Sequence, residues 1–303
     1  MSQQTAEGVS AGNINNTIKG IIILISSTLF FAGQDAITKS LVENLPVMQI
    51  IFFRFFFFAI FAIIFAARRI GIRNAFRSHT PGLQILRGVL IVSEISLFAW
   101  CLHFMGLAEV HAIFASFPLV ITMLVPILGE QVGWRRWLAV GCGFIGTLII
   151  IQPTGDEFNY YTVIVMICVF MFAVYNLLTR KVSQHDHFET SLIYFGVVGC
   201  IMASLAIPFF WQPLNTSQLI WLLIISVLGI VSHLLLIKAL QLAPAVILQP
   251  FNYFVLVWAI AIGYFVYGEI LDIARLLGAT LVVLSGIYIA RREYIAARKT
   301  PPR

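Results

Sequence analysis

Ten apolar runs, each long enough to cross a lipid bilayer, follow one another along this chain with little between them. They cover approximately residues 18–39, 47–67, 83–104, 109–128, 134–151, 160–180, 189–210, 216–240, 245–267 and 272–290. A helix needs about 20 predominantly apolar residues to span the hydrocarbon core, so ten crossings use up nearly all of the 303 residues. No stretch of about 100 residues is left over for a soluble domain. In lipid the backbone must satisfy its own hydrogen bonds, and runs of this length do so as helices. The expected fold is an all-α membrane protein with ten transmembrane helices. Charged residues are only 11% of the chain, against about 25% in soluble domains. That excludes a water-soluble enzyme, a secreted disulfide scaffold and a disordered chain. The four cysteines (Cys101, Cys142, Cys168, Cys200) lie inside apolar runs without CxxC spacing. They read as small core residues, neither disulfides nor metal ligands.

The basic residues set the orientation. With a cytoplasmic N-terminus, 16 of the 19 Lys and Arg fall inside, only Lys39 and Arg275 fall outside, and Arg54 lies within a span. Cytoplasmic loops carry such an excess, so the net charge of +6 is topological and implies no nucleic-acid partner. Both termini are expected in the cytoplasm. The 152–159 loop, with Asp156 and Glu157 but no Lys or Arg, is expected outside. Residues 1–17 are polar and rich in Asn, Gln, Ser and Gly, and read as a disordered cytoplasmic tail. No basic residue precedes the first apolar run until Lys19, which argues against a cleaved signal peptide. Residues 291–303 read as a basic cytoplasmic tail.

The chain repeats itself. Phe31-Ala32-x-x-Asp35-x-x-Thr38-Lys39 recurs as Phe172-Ala173-x-x-Asn176-x-x-Thr179-Arg180, an offset of 141. Gly129-Glu130 pairs with Gly268-Glu269, and Arg136 with Arg275, at an offset of 139, while Leu107-Ala108 pairs with Leu242-Ala243 at 135. Small drifts in offset are what a duplication with altered loops leaves behind. The units are residues 18–151 and 160–290, each with five helices. Five is odd, so the second unit enters the membrane from the opposite side and the two are inverted. Many secondary transporters use this architecture to place a substrate site at the midplane and expose it to each side in turn.

With its repeat, its ten spans and its glycine-glutamate pairs, the chain resembles the drug/metabolite transporter superfamily in its EamA-domain branch, over about residues 18–290. Several strings resemble an alphaproteobacterial group that includes riboflavin importers and S-adenosylmethionine uptake transporters. They are Phe52-Phe53-Arg54-Phe55-Phe56-Phe57, Ile85-Leu86-Arg87-Gly88, Arg136-Trp137, Gly143-Phe144-Ile145-Gly146 and Pro250-Phe251-x-Tyr253. The resemblance implies an inner-membrane secondary transporter working by alternating access, with riboflavin import as the expected activity. S-adenosylmethionine uptake and export of amino acids or toxic metabolites are the alternatives. A polytopic membrane enzyme or receptor is the alternative of another class. Nothing in the sequence resembles a P-loop, a zinc spacing or a nucleophile–base pair. An ATP-driven pump is therefore excluded, and no catalytic residue, metal or cofactor is expected.

Ionisable and polar groups are costly in hydrocarbon and mark candidate function by default. Glu94, near the centre of the third run beside Ser93 and Ser96, is a candidate to bind a driving proton or a donor group on the substrate. Asp35 and Lys39 stand at i, i+4 on one helix face, the spacing of a local ion pair. Arg54 is a candidate partner for Glu94 or Asp35 across a cavity, and Asp35, Lys39 and Arg54 form a candidate gate or ion pair. Gln34, Tyr175 and Asn176 are expected on the cavity side. His103 and His111 flank a short loop and read as interfacial, while His233 is deeper and a candidate for the pathway. Gln249, Asn252, Tyr253 and Trp258 open the ninth run. The first three lie at i, i+3 and i+4, which shares one helical face, and form a candidate polar-aromatic substrate contact. Gly141, Gly143, Gly146, Gly278, Ser285 and Gly286 read as close-packing positions, within the bundle or in a homodimer. The expected partners are a small-molecule substrate and the lipid bilayer.

Overall fold

The computed structural model of the protein describes residues 3–128, 132–152, 159–243 and 245–299. Those residues contain no strand and ten helical spans long and apolar enough to cross a membrane. In chain order the spans are Asn16–Leu41, Val47–Ile70, Pro81–Phe104, Leu107–Ile127, Trp134–Ile151, Tyr161–Val182, Phe188–Phe210, Thr216–Leu242, Gln249–Tyr267 and Ile273–Arg292. They are called spans one to ten. Large apolar side chains such as Phe209, Phe265 and Ile270 stand exposed on the outside, where lipid chains are their solvent.

The spans pack in the pattern that an inverted duplication requires. Span two lies most extensively against seven, one against eight, three against six, and five against ten. Exchanging each span for its counterpart five further on maps one–eight onto three–six, and returns two–seven and five–ten to themselves. Two five-helix halves are thus related by a pseudo-two-fold axis that passes between two and seven and between five and ten.

Glycine lets the helices cross closely at both places. A Cβ on Gly146 would sit 2.7 Å from the Gly278 carbonyl oxygen, and one on Gly278 would sit 2.6 Å from the Gly146 oxygen. Gly196 lies against Ala59, and Gly199 lies under the Phe55 ring. Gly141, expected to pack closely, has nothing within 4 Å of its Cβ position. It points away from the five–ten contact that Gly143 and Gly146 share.

Spans four and nine, which are counterparts, are both broken. Span four is two short helices, Leu107–Phe114 and Phe117–Leu124, followed by a 3₁₀ turn, Val125–Leu128. Span nine follows a short helix, Ala245–Leu248, and opens with a 3₁₀ turn, Gln249–Tyr253, before its main helix Phe254–Tyr267. Pro118 and Pro250 stand at these breaks and have no N–H to continue the ladder. Interrupted helices at matching places in two inverted halves are where such transporters form their sites.

Two sequence expectations change. The first helix begins at Gln3, so the helix runs back through the polar stretch expected to be a disordered tail. No proline interrupts the backbone hydrogen bonding there, and only Asn16–Leu41 is apolar enough to cross. Arg87, counted above among cytoplasmic loop charges, lies inside span three and is buried. Its Nη2 donates to the Ser191 carbonyl at 2.6 Å and its Nη1 to Thr179 Oγ1 at 3.2 Å, with the guanidinium over the Tyr175 ring at 5.3 Å. Arg87 therefore ties spans three, six and seven together.

Beside it Gln84 donates to Asp186 at 2.8 Å and to Ser191 Oγ at 3.1 Å. Asp186, in the loop between spans six and seven, also accepts from the Ser78 hydroxyl, the His79 N–H and the His79 ring. Burial alone would raise the Asp186 carboxyl above its ordinary pKa. The hydrogen bonds from Ser78, His79 and Gln84 outweigh that and hold it below.

Candidate functional site

Four spans bring ionisable side chains together in the middle of the bundle. Span one supplies Gln34 and Asp35, span two Arg54, span three Glu94 and span eight His233. Arg54 shares one electrostatic environment with Asp35 and Glu94. No ion pair or hydrogen bond among the described residues closes on its guanidinium. Glu94 is only 3% exposed. Its backbone carbonyl receives the Cys168 thiol at 3.8 Å, but its carboxyl has no hydrogen-bond partner among the described residues. A buried ionisable group is held only at cost unless it is paired, so Glu94, buried and unbonded with Asp35 and Arg54 as its charged neighbours, marks a place kept for something else.

Gln34 is fully buried, and neither Oε1 nor Nε2 has a partner. It can lie there because residue 229 is glycine: a Cβ on Gly229 would be 2.8 Å from Gln34 Oε1. Gly229 lines a small pocket of about 10 Å³ with Arg54, Phe55, Phe58, Phe195, Ser226 and His233. His233 Nδ1 donates to the Gly229 carbonyl at 2.8 Å. The His233 ring stands among Phe31, Phe58 and Phe195, with centroids 5.2, 4.8 and 5.6 Å away. Among the described residues, the centre thus has an unpaired cation, an unpaired amide, carboxyls and an aromatic wall.

Asp35 does not pair with Lys39. Its Oδ2 lies 3.4 Å from His111 Nε2, at ion-pair distance but without hydrogen-bond geometry. His111 is 4% exposed and meets the Phe98 ring at 5.3 Å, so its side chain is buried within the bundle one turn into span four. Lys39 turns the other way, to the end of span three. It donates to the Met105 and Leu102 carbonyls at 2.7 and 3.3 Å and lies 3.3 Å from Glu269 Oε1. Carbonyls at a helix C-terminus attract a cation, and here they outbid the local i, i+4 partner. Glu269 in turn accepts from the Leu107 and Ala108 N–H groups at 2.9 and 3.1 Å. A carboxylate is favoured at that helix N-terminus. Tyr267 adds a bond to Ser40 at 2.7 Å and one to the Ala36 carbonyl. One end of the bundle is therefore knotted across spans one, three, four and nine. The glycine-glutamate pair, read above as a mark of duplication, supplies the central carboxylate of that knot. Its first-half counterpart, Gly129-Glu130, lies outside the described residues.

The proposed cluster on span nine is divided. Asn252 Nδ2 donates to Gln249 Oε1 at 2.7 Å, but Tyr253 is buried toward span ten, its hydroxyl lying over Gly286. A 3₁₀ turn has three residues per turn, so positions 249 and 252 eclipse while 253 rotates away from them. Trp258 keeps its indole N–H buried and unpartnered, beside Phe254 at 6.3 Å. Asn176 Nδ2 donates back to the Phe172 carbonyl at 2.7 Å. Tyr175 stacks near Phe172 at 5.9 Å and carries Arg87 on its face. The central group therefore gathers Gln34, Asp35, Arg54, Glu94 and His233. Gln249, Asn252, Tyr253, Trp258, Tyr175 and Asn176 have other immediate neighbours.

The chain matches the model of the EamA-like transporter family twice, over residues 18–152 and 160–291. It is 30% identical to a riboflavin transporter of Vibrio cholerae, over 94% of this chain and 97% of that one. It is 26% identical to an S-adenosylmethionine uptake transporter of Rickettsia bellii, over 92% and 96%. A pseudopaline exporter of Pseudomonas aeruginosa is 22% identical, over 90% and 96%. A solved crystal structure superposes with a TM-score of 0.63 at 17% identity, covering 89% of this chain and 96% of that one, a likeness of fold.

Proposed function

The chain belongs to the EamA-like transporter family, and from that premise we propose that this multi-pass inner-membrane transporter imports riboflavin by alternating access. The central group of Gln34, Arg54, Glu94 and His233 against Phe58 and Phe195 carries the reading. A flavin is neutral and flat, and its ring suits an aromatic wall, while its ribityl chain and ring edge suit amide, carboxyl and imidazole partners. The likeness to the riboflavin transporter over nearly the whole of both chains supports the same cargo. Two carboxyls around one guanidinium favour S-adenosylmethionine as the second reading, because its sulfonium and ammonium are cations and the site would oppose them with Asp35 and Glu94.

In the mechanism, spans four and nine, broken at matching places, rock with their halves around the central group. The Lys39–Glu269 knot holds one end shut in the state described. Substrate meets Arg54, Gln34 and Glu94 when the aromatic wall parts. The bond energy recovered on its binding offsets the cost of breaking the contacts at the closed end.

Labelled riboflavin uptake by a riboflavin-auxotrophic bacterium expressing this chain is expected to be saturable and unaffected by unlabelled S-adenosylmethionine. Absence of uptake at good membrane expression would remove riboflavin as cargo, and inhibition by S-adenosylmethionine would favour the second reading. The positive-inside pattern supports cytoplasmic termini. A cysteine replacing Asp156, in a segment outside the described residues, is then expected to react with an impermeant thiol reagent added to intact cells. Reaction only after lysis would invert the topology.

A further inference from the structure

The polar groups at the central pocket narrow what it can hold: Arg54 and His233 line it, and Gln34 lies against Gly229, which lines it too. Arg54 donates only. Gln34 presents one acceptor and two donors, all of them buried and unused. With Nδ1 of His233 committed to the Gly229 carbonyl, Nε2 of the neutral ring is a second acceptor. A bare carboxylate would suit Arg54 but would leave Gln34 Oε1 without a donor. It would also meet Asp35 and Glu94. A buried acceptor left unmatched costs about 1–3 kcal/mol. A group that reads acceptor, donor, acceptor along one edge satisfies the amide and the guanidinium together.

The flavin ring has such an edge, two carbonyls flanking an N–H. Resting on the riboflavin reading above, we infer that Gln34 and Arg54 recognise this imide edge of the cargo. The ring N–H donates to Gln34 Oε1, Gln34 Nε2 donates to one flanking carbonyl, and Arg54 donates to the other. Gly229 is part of the device, because any larger residue would push the Gln34 head out of place. The pocket of about 10 Å³ holds one water at most, so the edge enters only when the rings of Phe58, Phe195 and His233 separate. In the closed state the Gln34 amide has no partner among the described residues, and entry of the edge supplies one.

The test uses intact cells expressing the full chain and measures labelled riboflavin uptake against unlabelled riboflavin or 3-methylriboflavin. The methyl group removes the ring N–H donor and leaves the carbonyls and ribityl chain. Half-inhibition by 3-methylriboflavin is expected to need about tenfold or more the concentration that riboflavin needs. In Gln34→Leu, uptake of riboflavin is expected to fall about tenfold and that ratio to collapse to about one. Equal inhibition by the two flavins in the wild-type chain would overturn edge recognition while leaving riboflavin as cargo. Retention of the ratio in Gln34→Leu would overturn the role of Gln34. Should Gln34→Leu fail to reach the membrane, the wild-type ratio decides alone. No riboflavin uptake at all by a well-expressed wild-type chain would remove the cargo reading and this inference together, an outcome distinct from equal inhibition.

Discussion

Glu94→Gln is expected to lower transport about tenfold or more, the worth of one charge-assisted hydrogen bond or more, with its amount in the membrane unchanged. The substitution keeps size, shape and hydrogen-bonding capacity. It removes the ability to carry a negative charge or to exchange a proton, and turns one acceptor oxygen into an N–H donor. Glu94 sits in span three at 3% exposure, with its carboxyl unbonded among the described residues and Arg54 and Asp35 as its charged neighbours. A carboxyl placed merely to hold two helices together would be bonded to one of them. One held open beside an unpaired guanidinium is available to substrate or proton, so its loss is felt in flux and not in folding. The measurement is initial uptake rate normalised to membrane-inserted protein. Unchanged flux at equal expression would reduce Glu94 to a packing residue. Reduced flux with a matching fall in protein would make it a folding residue.

The ten spans were legible because lipid imposes one requirement on every crossing, a run of apolar residues of fixed length. Inversion was legible because the duplicated unit holds an odd number of them. The site was legible only in part, and each failure has a local cause. Lys39 reads as the partner of Asp35 if only sequence spacing is available. The Met105 carbonyl and Glu269 that it meets are 66 and 230 residues away, and nothing in the local pattern announces them. His111 sits near a predicted span boundary, and its burial against Phe98 depends on the break in span four. A period of 3.6 puts Tyr253 on the face of Gln249 and Asn252, but the backbone there follows a period of three and turns it toward Gly286. Pro250 was the available signal, since it marks an interruption and therefore a change of phase. Gln34 was expected on the cavity side, but its complete lack of partners could not be read from sequence. That lack depends on Gly229, on another helix 195 positions later, leaving room for the amide.

The five–ten contact gives the second large effect. Gly146→Val is expected to cost roughly 3 kcal/mol of stability, at the upper end of what overpacking a tight contact costs. A Cβ at that position would stand 2.7 Å from the Gly278 carbonyl oxygen and 3.1 Å from Leu281 Cβ and Val282 Cγ2. The first of these is backbone and cannot rotate away. Relief therefore requires the two helices to separate, and because Gly278 approaches Gly146 in the same way, separation loses the contact from both sides. Gly141→Val on the same helix meets nothing within 4 Å and controls for helix propensity and side-chain bulk. The thermal midpoint of purified protein in detergent is expected to drop for Gly146→Val and to stay near wild type for Gly141→Val. Equal midpoints for the two variants would mean that spans five and ten do not meet at these glycines. The pocket lining belongs to spans two, seven and eight, and Gln34 and Glu94 to spans one and three, none of which supplies the five–ten contact. The fraction of Gly146→Val that does fold should therefore keep the wild-type ratio between riboflavin and 3-methylriboflavin. A scaffold defect thus lowers the amount of transporter, whereas a defect at Gln34 changes what the transporter distinguishes.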